Sequence, residues 1–478
     1  MHIIYIRNAI PHRHQSIQVI DTEANVCHVV ALPAPSPGSG YNIEIKKMSV
    51  LYPMMNLCKN LATRNHNILV TFVVTEECLG FFDSHICHPN ITFATVPKNI
   101  IPSRNGDSPF EQILDQLDLP VTIVITDVGL SWAIDTANRR NIPVAAIWTT
   151  STLLLSFSYH FDLFTEKRIT MIWKVHHGDD IVDFIPGISS IRVADLPLVF
   201  MKNDQKSSVH VLPFKLEVSK LQYLLSSSIY EVEPQAFDIL KAKFNIPIYH
   251  IGPLIPFSST CQQDLDYIEW LNSQPANSVS YISMGSIHSV SSAQMDEMIA
   301  GLKSSGVRYL WAARDDSSRL KDCCGDLGLM VPWCDQLGVF RHPAVGGFLT
   351  HSGFNSIMEA AFAGVPMLTF PLYWDQFPNS KLIVEDWKIG WRLKKEVGAE
   401  KIVTREAIVK TIQTFMDMNT NMRKELIKRA KQVQEIFQAA IASGGSSDTD
   451  LNAFINDITQ GNDLLSGLRF HYIYIMKS

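Results

Sequence analysis

Paired cysteines, concentrated positive charge and an uninterrupted apolar run are all missing from this sequence, and each absence removes a class of protein. The eight cysteines, at 27, 58, 78, 87, 261, 323, 324 and 334, form no Cys-x-x-Cys pair, and the adjacent Cys323 and Cys324 suit neither zinc nor redox spacing, so reduced thiols are expected. There is no Asp-rich cluster; His176-His177-Gly178-Asp179-Asp180 mixes ligand types, but consecutive residues do not converge on one ion, so it reads as a surface loop and no metal is assigned. Lys and Arg number 41 against 47 Asp and Glu, a net charge of -6, and they are scattered, which disfavours nucleic acid as a partner. The first thirty residues hold His12, Arg13, His14, Asp21 and Glu23 with no apolar segment, so no secretory signal is read and a cytoplasmic protein is expected. Residues 141–161 lack formal charge over a bilayer-spanning length, but Pro143, six Ser/Thr and His160 interrupt them, as in a buried strand running into a core helix. Neither a Gly-x-x-x-x-Gly-Lys-Ser/Thr loop nor a Gly-x-Ser-x-Gly elbow occurs, which disfavours nucleotidases and hydrolases.

What is present is an ordered globular chain of 478 residues, 46% hydrophobic and 18% charged, too long for one hydrophobic core. Short apolar runs at 28–32, 68–74, 121–126 and 144–148 alternate with helix-like segments, and the pattern repeats at 279–283, 309–313, 345–350 and 366–370. That alternation predicts an α/β protein of two doubly wound, Rossmann-like domains. Residues 249–256 and the polar stretch after them read as a linker, which puts the boundary near 255. Ligands in such sheets sit beyond the carboxyl ends of the strands, so the residues after each run are the candidates.

The strand-turn-helix at 344–363 carries the strongest local signal. A helix opening after a Gly-containing turn presents free N–H groups and a positive dipole end to an anion such as phosphate. His351, Asn355 and Ser356 add donors there, and Glu359, three residues beyond Ser356 on the same face, can accept both hydroxyls of a ribose. Asn and Ser also favour helix starts for purely structural reasons. The wider spacing decides the matter: Trp333-Cys334-Asp335-Gln336 opens a 44-residue window that closes on Trp374-Asp375-Gln376. Trp333, Gln336, His351, Gly353, Asn355, Ser356, Glu359, Pro371, Asp375 and Gln376 together resemble, in register, the signature box of the plant UDP-dependent glycosyltransferases. Ile185-Pro186-Gly187, Ile251-Gly252-Pro253, Ser283-Met284-Gly285-Ser286 and Gly444-Gly445-Ser446-Ser447 extend the likeness over most of the chain after Pro53.

The resemblance implies the GT-B arrangement, two Rossmann-like domains facing each other across a cleft. Residues 1–255 would bind acceptor and 256–444 the donor, with a helix at about 445–478 returning to the first domain. It implies that Trp333 stacks on uracil and Glu359 holds the ribose, that Ser286, His351, Asn355 and Ser356 hold the diphosphate, and that Asp375 and Gln376 take sugar hydroxyls through paired hydrogen bonds. A terminal Gln is similar to glucose-preferring members, so UDP-glucose is the implied co-substrate, with no separate cofactor and a monomeric enzyme. Phe354 stands where the family usually has Trp, keeping an aromatic surface without the indole donor. The aromatic and aliphatic residues of 148–164 suggest a flat, apolar acceptor such as a secondary metabolite or hormone.

The catalytic end departs from the pattern. Inverting transfer needs a base for the acceptor hydroxyl, and the family uses a His after the first strand oriented by an Asp after a later one. Asp127 is in place, but Tyr41 stands at the position of the base, at the head of an insertion, 41–52, that precedes the familiar Pro53-Met54-Met55-Asn56. A phenol titrates near pH 10 and is a poor base at neutrality, and His28 lies within the strand. Three accounts follow: transfer with Asp127, a water or an acidic acceptor standing in for the His; binding of UDP-sugar without turnover; or a splicing error over 41–52. From another class, Gly38-Ser39-Gly40 resembles the start of an NAD fingerprint, but Ile43 occupies the third glycine position and three prolines crowd the turn.

Overall fold

A computed structural model of the chain describes residues 6–7, 26–33, 48–79, 88–96, 109–167, 177–197, 218–255, 265–285, 290–313, 327–394 and 402–475. Tyr41, Ser286 and the Gly38-Ser39-Gly40 turn lie outside them.

In the N-terminal half the strands are β1 (Ile6–Arg7), β2 (Cys27–Leu32), β3 (Ile68–Thr75), β4 (Ile91–Val96), β5 (Ile123–Asp127), β6 (Val144–Trp148), the small hairpin β7 (Ile181–Val182) and β8 (Ile191–Arg192), β9 (Tyr223–Ser226) and β10 (Ile248–His250). The C-terminal half adds β11 (Val279–Ser283), β12 (Arg308–Ala312), β13 (Gly328–Val331), β14 (Val345–Thr350), β15 (Met367–Thr369) and β16 (Gly390–Arg392). Eight strands pair in the order β1-β4-β3-β2-β5-β6-β9-β10 and six in the order β13-β12-β11-β14-β15-β16. Apart from β1, which runs antiparallel to β4, every neighbour in both sheets is parallel. Each half therefore grows outward from its first long parallel strand in both directions, and the order reverses between β2 and β5 in one sheet and between β11 and β14 in the other. These reversals are where doubly wound sheets open a crevice for ligands.

Strands buried on both faces need continuous apolar sequence, which Cys27–Leu32 and Val144–Trp148 supply. Expected strands and observed ones agree closely there, whereas β4, β9, β10, β13 and β16 were not anticipated. Residues 249–250, read as linker, belong to β10 and pair with Leu225 and Ser226 of β9. The chargeless stretch 141–161 is β6 followed by the helix Thr152–Tyr159, whose residues 152–158 are all buried. Among the described residues no helix is long and apolar enough to cross a membrane. The inserted residues 48–52 are not an irregular loop either: they form the start of the helix Met48–Arg64, with Leu51 buried in the core and Pro53 inside the helix.

The helix Ser446–Ile475 crosses back onto β10. Leu451, Phe454, Ile455 and Ile458 join the apolar cluster on one face of the N-terminal sheet. Asp450 accepts the His250 backbone N–H at 2.7 Å, and Arg64 donates to Asn452 at 2.9 Å. Phe454 is fully buried against Tyr223 and Tyr249, ring centroids 5.6 and 5.7 Å away. Phe454→Ala is expected to destabilise the fold by about 3–5 kcal/mol, the range for emptying a buried aromatic site. Urea denaturation measures this, and a loss below about 1 kcal/mol would show that the return helix is dispensable.

Candidate active site

The turn after β14 occupies the crevice of the C-terminal sheet. Ser352 is buried in the left-handed region at φ 69°, its N–H donating to Thr350 Oγ1 at 3.0 Å while its hydroxyl has no partner. Strain and an unpaired polar group together mark a position held for reasons other than stability. The turn aims His351 between two glycines: a Cβ on Gly285 or on Gly353 would lie 2.3 or 2.4 Å from His351 Nε2. The helix Phe354–Ala363 then begins at Gly353 with no side-chain cap and ends on Gly364 at φ 72°. The helix N-terminus, where the positive end of the backbone dipole lies, is thus uncapped by any side chain, with Asn355 and Ser356 in its first turn. Phe354, in contrast, is 4% exposed and packs inward as part of the core, so it offers no aromatic surface to a ligand.

One turn on, Glu359 meets Gln336. Gln336 Nε2 donates to Glu359 Oε2 at 2.7 Å and to Ser356 Oγ at 3.1 Å, while its Oε1 accepts from the Tyr281 hydroxyl at 3.3 Å. The Tyr281 ring is clamped between Phe348, stacked at 5.3 Å, and the edge of Phe340, also at 5.3 Å. Burial pushes the Glu359 carboxyl up to about 7, with the Gln336 hydrogen bond opposing it. Trp333 follows β13 with 42% of its surface exposed. Asp335, next to it, caps the helix Gln336–Phe340 by accepting from Gly338 N–H at 3.2 Å.

At the opposite end of the motif, Trp374 takes a left-handed φ of 46° and Asp375 turns toward the other half of the molecule. Asp375 Oδ2 accepts from Thr150 Oγ1, just after β6, at 3.2 Å and from Asn379 Nδ2 at 3.0 Å. Thr150 follows the carboxyl end of β6 and Asp375 the loop after β15, so the carboxyl ends of the two sheets meet here. Burial pushes Asp375 up to about 6. Gln376 Oε1 accepts from the backbone N–H groups of Leu372 and Tyr373 at 2.8 and 2.9 Å. Its carbonyl is therefore spent on the loop, which leaves the amide nitrogen and not a pair of groups to meet a hydroxyl.

Across the cleft, Asp127 ends β5 beside the carboxyl end of β2, at the reversal of the N-terminal sheet. Its Oδ1 accepts from Gly129 N–H at 2.8 Å, and burial pushes the carboxyl up to about 6. His28 stands at the other end of β2, four residues from Leu32, or roughly 13 Å at strand spacing. Its ring nitrogens lie 3.2 Å from Leu119 O and 2.9 Å from Thr71 Oγ1, so it is a paired core histidine. Asp135, in the helix Ser131–Arg139 that follows β5, accepts from Lys220 at 2.7 Å.

The suggested acceptor wall needs revision. Trp148, Leu153, Leu154, Leu155, Phe157 and Phe164 are all at most 5% exposed and belong to the core, as a helix apolar on every side must. Sequence reasoning missed Glu233, which caps that helix by accepting Thr152 and Leu153 N–H at 3.0 and 2.7 Å and the Ser228 hydroxyl at 2.5 Å. Tyr281 was missed too, because nothing local to β11 signals a side chain 55 residues from its partner. His177 and Asp180 form an exposed pair at 3.0 Å, and among the described residues no three His, Cys, Asp or Glu side chains gather as metal ligands.

Residues 248–440 match the family model described as "UDP-glucoronosyl and UDP-glucosyl transferase". The chain is 42% identical to UDP-glycosyltransferase 87A1 of Arabidopsis thaliana over 448 residues, 89% of this chain and 99% of that protein. It is 41% identical to UDP-glycosyltransferase 87A2 of the same plant, covering 91% and 97%. Among solved structures, Medicago truncatula UGT71G1 complexed with UDP-glucose superimposes with a TM-score of 0.75 at 24% identity, over 91% of this chain and 98% of that one, a likeness of fold. The chain belongs to the plant UDP-glycosyltransferase family: it is a glycosyltransferase of the GT-B fold, with a UDP-sugar as co-substrate.

Proposed function

We propose that this enzyme transfers glucose from UDP-glucose, with inversion, to a hydroxyl of a small apolar acceptor such as a phenolic secondary metabolite or hormone. The observation that carries the reading is the joined cluster of Gln336, Ser356 and Glu359 beside the exposed Trp333, at the crevice of the C-terminal sheet. Trp333 offers a face for uracil, and Glu359, kept in place by Gln336, accepts the ribose hydroxyls. The N-terminus of the helix Phe354–Ala363, with His351, Asn355 and Ser356, receives the diphosphate; Ser286 belongs to the same proposed set. Asp375 and the Gln376 amide nitrogen hold the sugar, next to Thr150 of the N-terminal half. Residues 256–444 thus serve the donor and 1–255 the acceptor.

Asp127 is the base in this reading. The acceptor hydroxyl gives its proton to the Asp127 carboxylate as its oxygen bonds to the anomeric carbon, and the bond from that carbon to the UDP oxygen breaks. The charge released on UDP is met by the helix N-terminus, whose dipoles are already oriented. A carboxyl titrating near 6 is mostly ionised at neutral pH yet basic enough to help a phenol. Tyr41, with its high intrinsic pKa, is the less suited of the two proposed groups. The cytoplasm is the proposed setting, supported by four buried free thiols, Cys27, Cys58, Cys78 and Cys334.

The second reading, binding without turnover, rests on the missing His: the described histidine of β2 is at the wrong end of the strand. Thermal stabilisation by UDP but not by NAD, and release of UDP from UDP-glucose with a panel of phenolic acceptors, is the expected result. No stabilisation by UDP would sink the donor site. Stabilisation without UDP release across the panel would hand the case to the second reading.

A further inference from the structure

The segment that opens on Asp375 and Gln376 continues through the helix Gln376–Lys381 and the π-helical turn Leu382–Asp386 to β16. In that turn Trp387 N–H reaches back five residues to Leu382 O at 2.7 Å. The widened turn brings residues five apart to one side, and Lys381 and Asp386 are such a pair. Lys381, 1% exposed, donates to both Asp386 carboxylate oxygens, at 2.7 and 2.8 Å. Ser189 of the N-terminal half closes the pair, accepting from Lys381 and donating to Asp386 Oδ1 at 3.3 Å.

A second ionic junction lies beside the first. Arg392 of β16 donates from Nη2 to Asp195 Oδ2 at 2.9 Å and to Glu385 Oε1 at 2.8 Å. Asp195, in the N-terminal half and 6% exposed at its side chain, is also held by Arg192 through Nε at 2.9 Å and Nη2 at 3.0 Å. With Thr150 on Asp375, one C-terminal segment is tied to the opposite half at three places: Asp375, the Lys381–Asp386 turn and Arg392. Buried charges are a costly way to hold a static interface, since apolar side chains of the same volume commonly do so at least as well; what they add is geometric specificity. Arg392 Nε is buried without a partner, a further sign that stability alone does not account for the junction. Trp333, Gln336 and Glu359 lie on other segments, and Gln336 and Glu359 bond within their own half.

The geometry points to Asp195 as a positioning residue for the donor sugar. Through Arg392 and the π-helical turn it sets where Asp375 and Gln376 stand against the N-terminal half, and so governs the hold on the hexose while leaving the uridine end alone. This rests on the assignment of Asp375 and Gln376 to the sugar. Calorimetric affinities for UDP and for UDP-glucose, in the full chain and in Asp195→Asn, separate the two ends without requiring turnover. UDP-glucose is expected to bind about 10-fold more weakly to the variant and UDP within about 2-fold of the parent. Equal weakening of both ligands, or no change in either, overturns the inference. Should Asp195→Asn fail to fold because two arginines lose their acceptor, Asp195→Asn/Arg392→Gln, which removes one charge of each sign, must show the same split. A parent chain that does not bind UDP would instead sink the donor site itself.

Discussion

Asp127→Asn is expected to lower glucosyl transfer by about a hundred- to ten-thousandfold, the usual worth of a general base, with UDP affinity unchanged. The parent's rate should climb with pH through a limb near 6, where burial places the Asp127 carboxyl, and the variant should lack that limb. Stability moves the other way. The folded carboxyl titrates near 6 against an ordinary value of 3.8, so the stability linked to it is fully present below 3.8 and is lost as pH rises through 6. At pH 8 the parent holds a partly buried charge that asparagine does not carry, and the variant should melt at an equal or higher temperature while turning over far more slowly. Unchanged turnover, or a surviving limb near 6, would remove Asp127 as the base.

Glu359→Ala is expected to weaken UDP binding by about 10- to 100-fold, the worth of losing charge-assisted hydrogen bonds to the ribose, each about 1.5–3 kcal/mol. The Gln336 amide loses its 2.7 Å acceptor in the same variant, so part of the loss comes through a disordered neighbour. Burial holds Glu359 near 7, which means the free enzyme carries it largely protonated at pH 6 and ionised at pH 8. Because ribose hydroxyls donate best to the ionised form, UDP affinity should rise from pH 6 to pH 8 in the parent. Isothermal titration at both values tests this; a variant with parental affinity would move the ribose elsewhere.

How much of this was legible beforehand varies with the range over which each feature is decided. The long buried strands β2, β3, β6, β11 and β14 declare themselves because both faces are covered and the sequence must be apolar throughout. The three-residue strands β10 and β16 carry too few residues for any period, and β10 in particular passes for linker until it is seen pairing with β9. Phe354 and the residues at 153–157 were expected near ligands because aromatic and aliphatic side chains suit both pockets and cores, and only burial separates the two. The insertion at 41–52 gave no sign of its structure, yet 48–52 form the first turn of a helix and Leu51 fills the core.

The sequence by itself determined the two doubly wound halves and the order of residues along the signature box. Spacing within one strand-turn-helix is a local property: once Gly353 opens the helix, Ser356 and Glu359 must share a face. Only the tertiary structure decided what those side chains touch and how they titrate. Asp375 meets Thr150 across 225 residues, and Asp195 meets Arg392 across 197. Asp127, Glu359 and Asp375 owe their raised values to burial by elements distant in sequence. Hydrogen-bond partners and desolvation depend on what the folded chain packs around a group, and no local pattern encodes that surrounding.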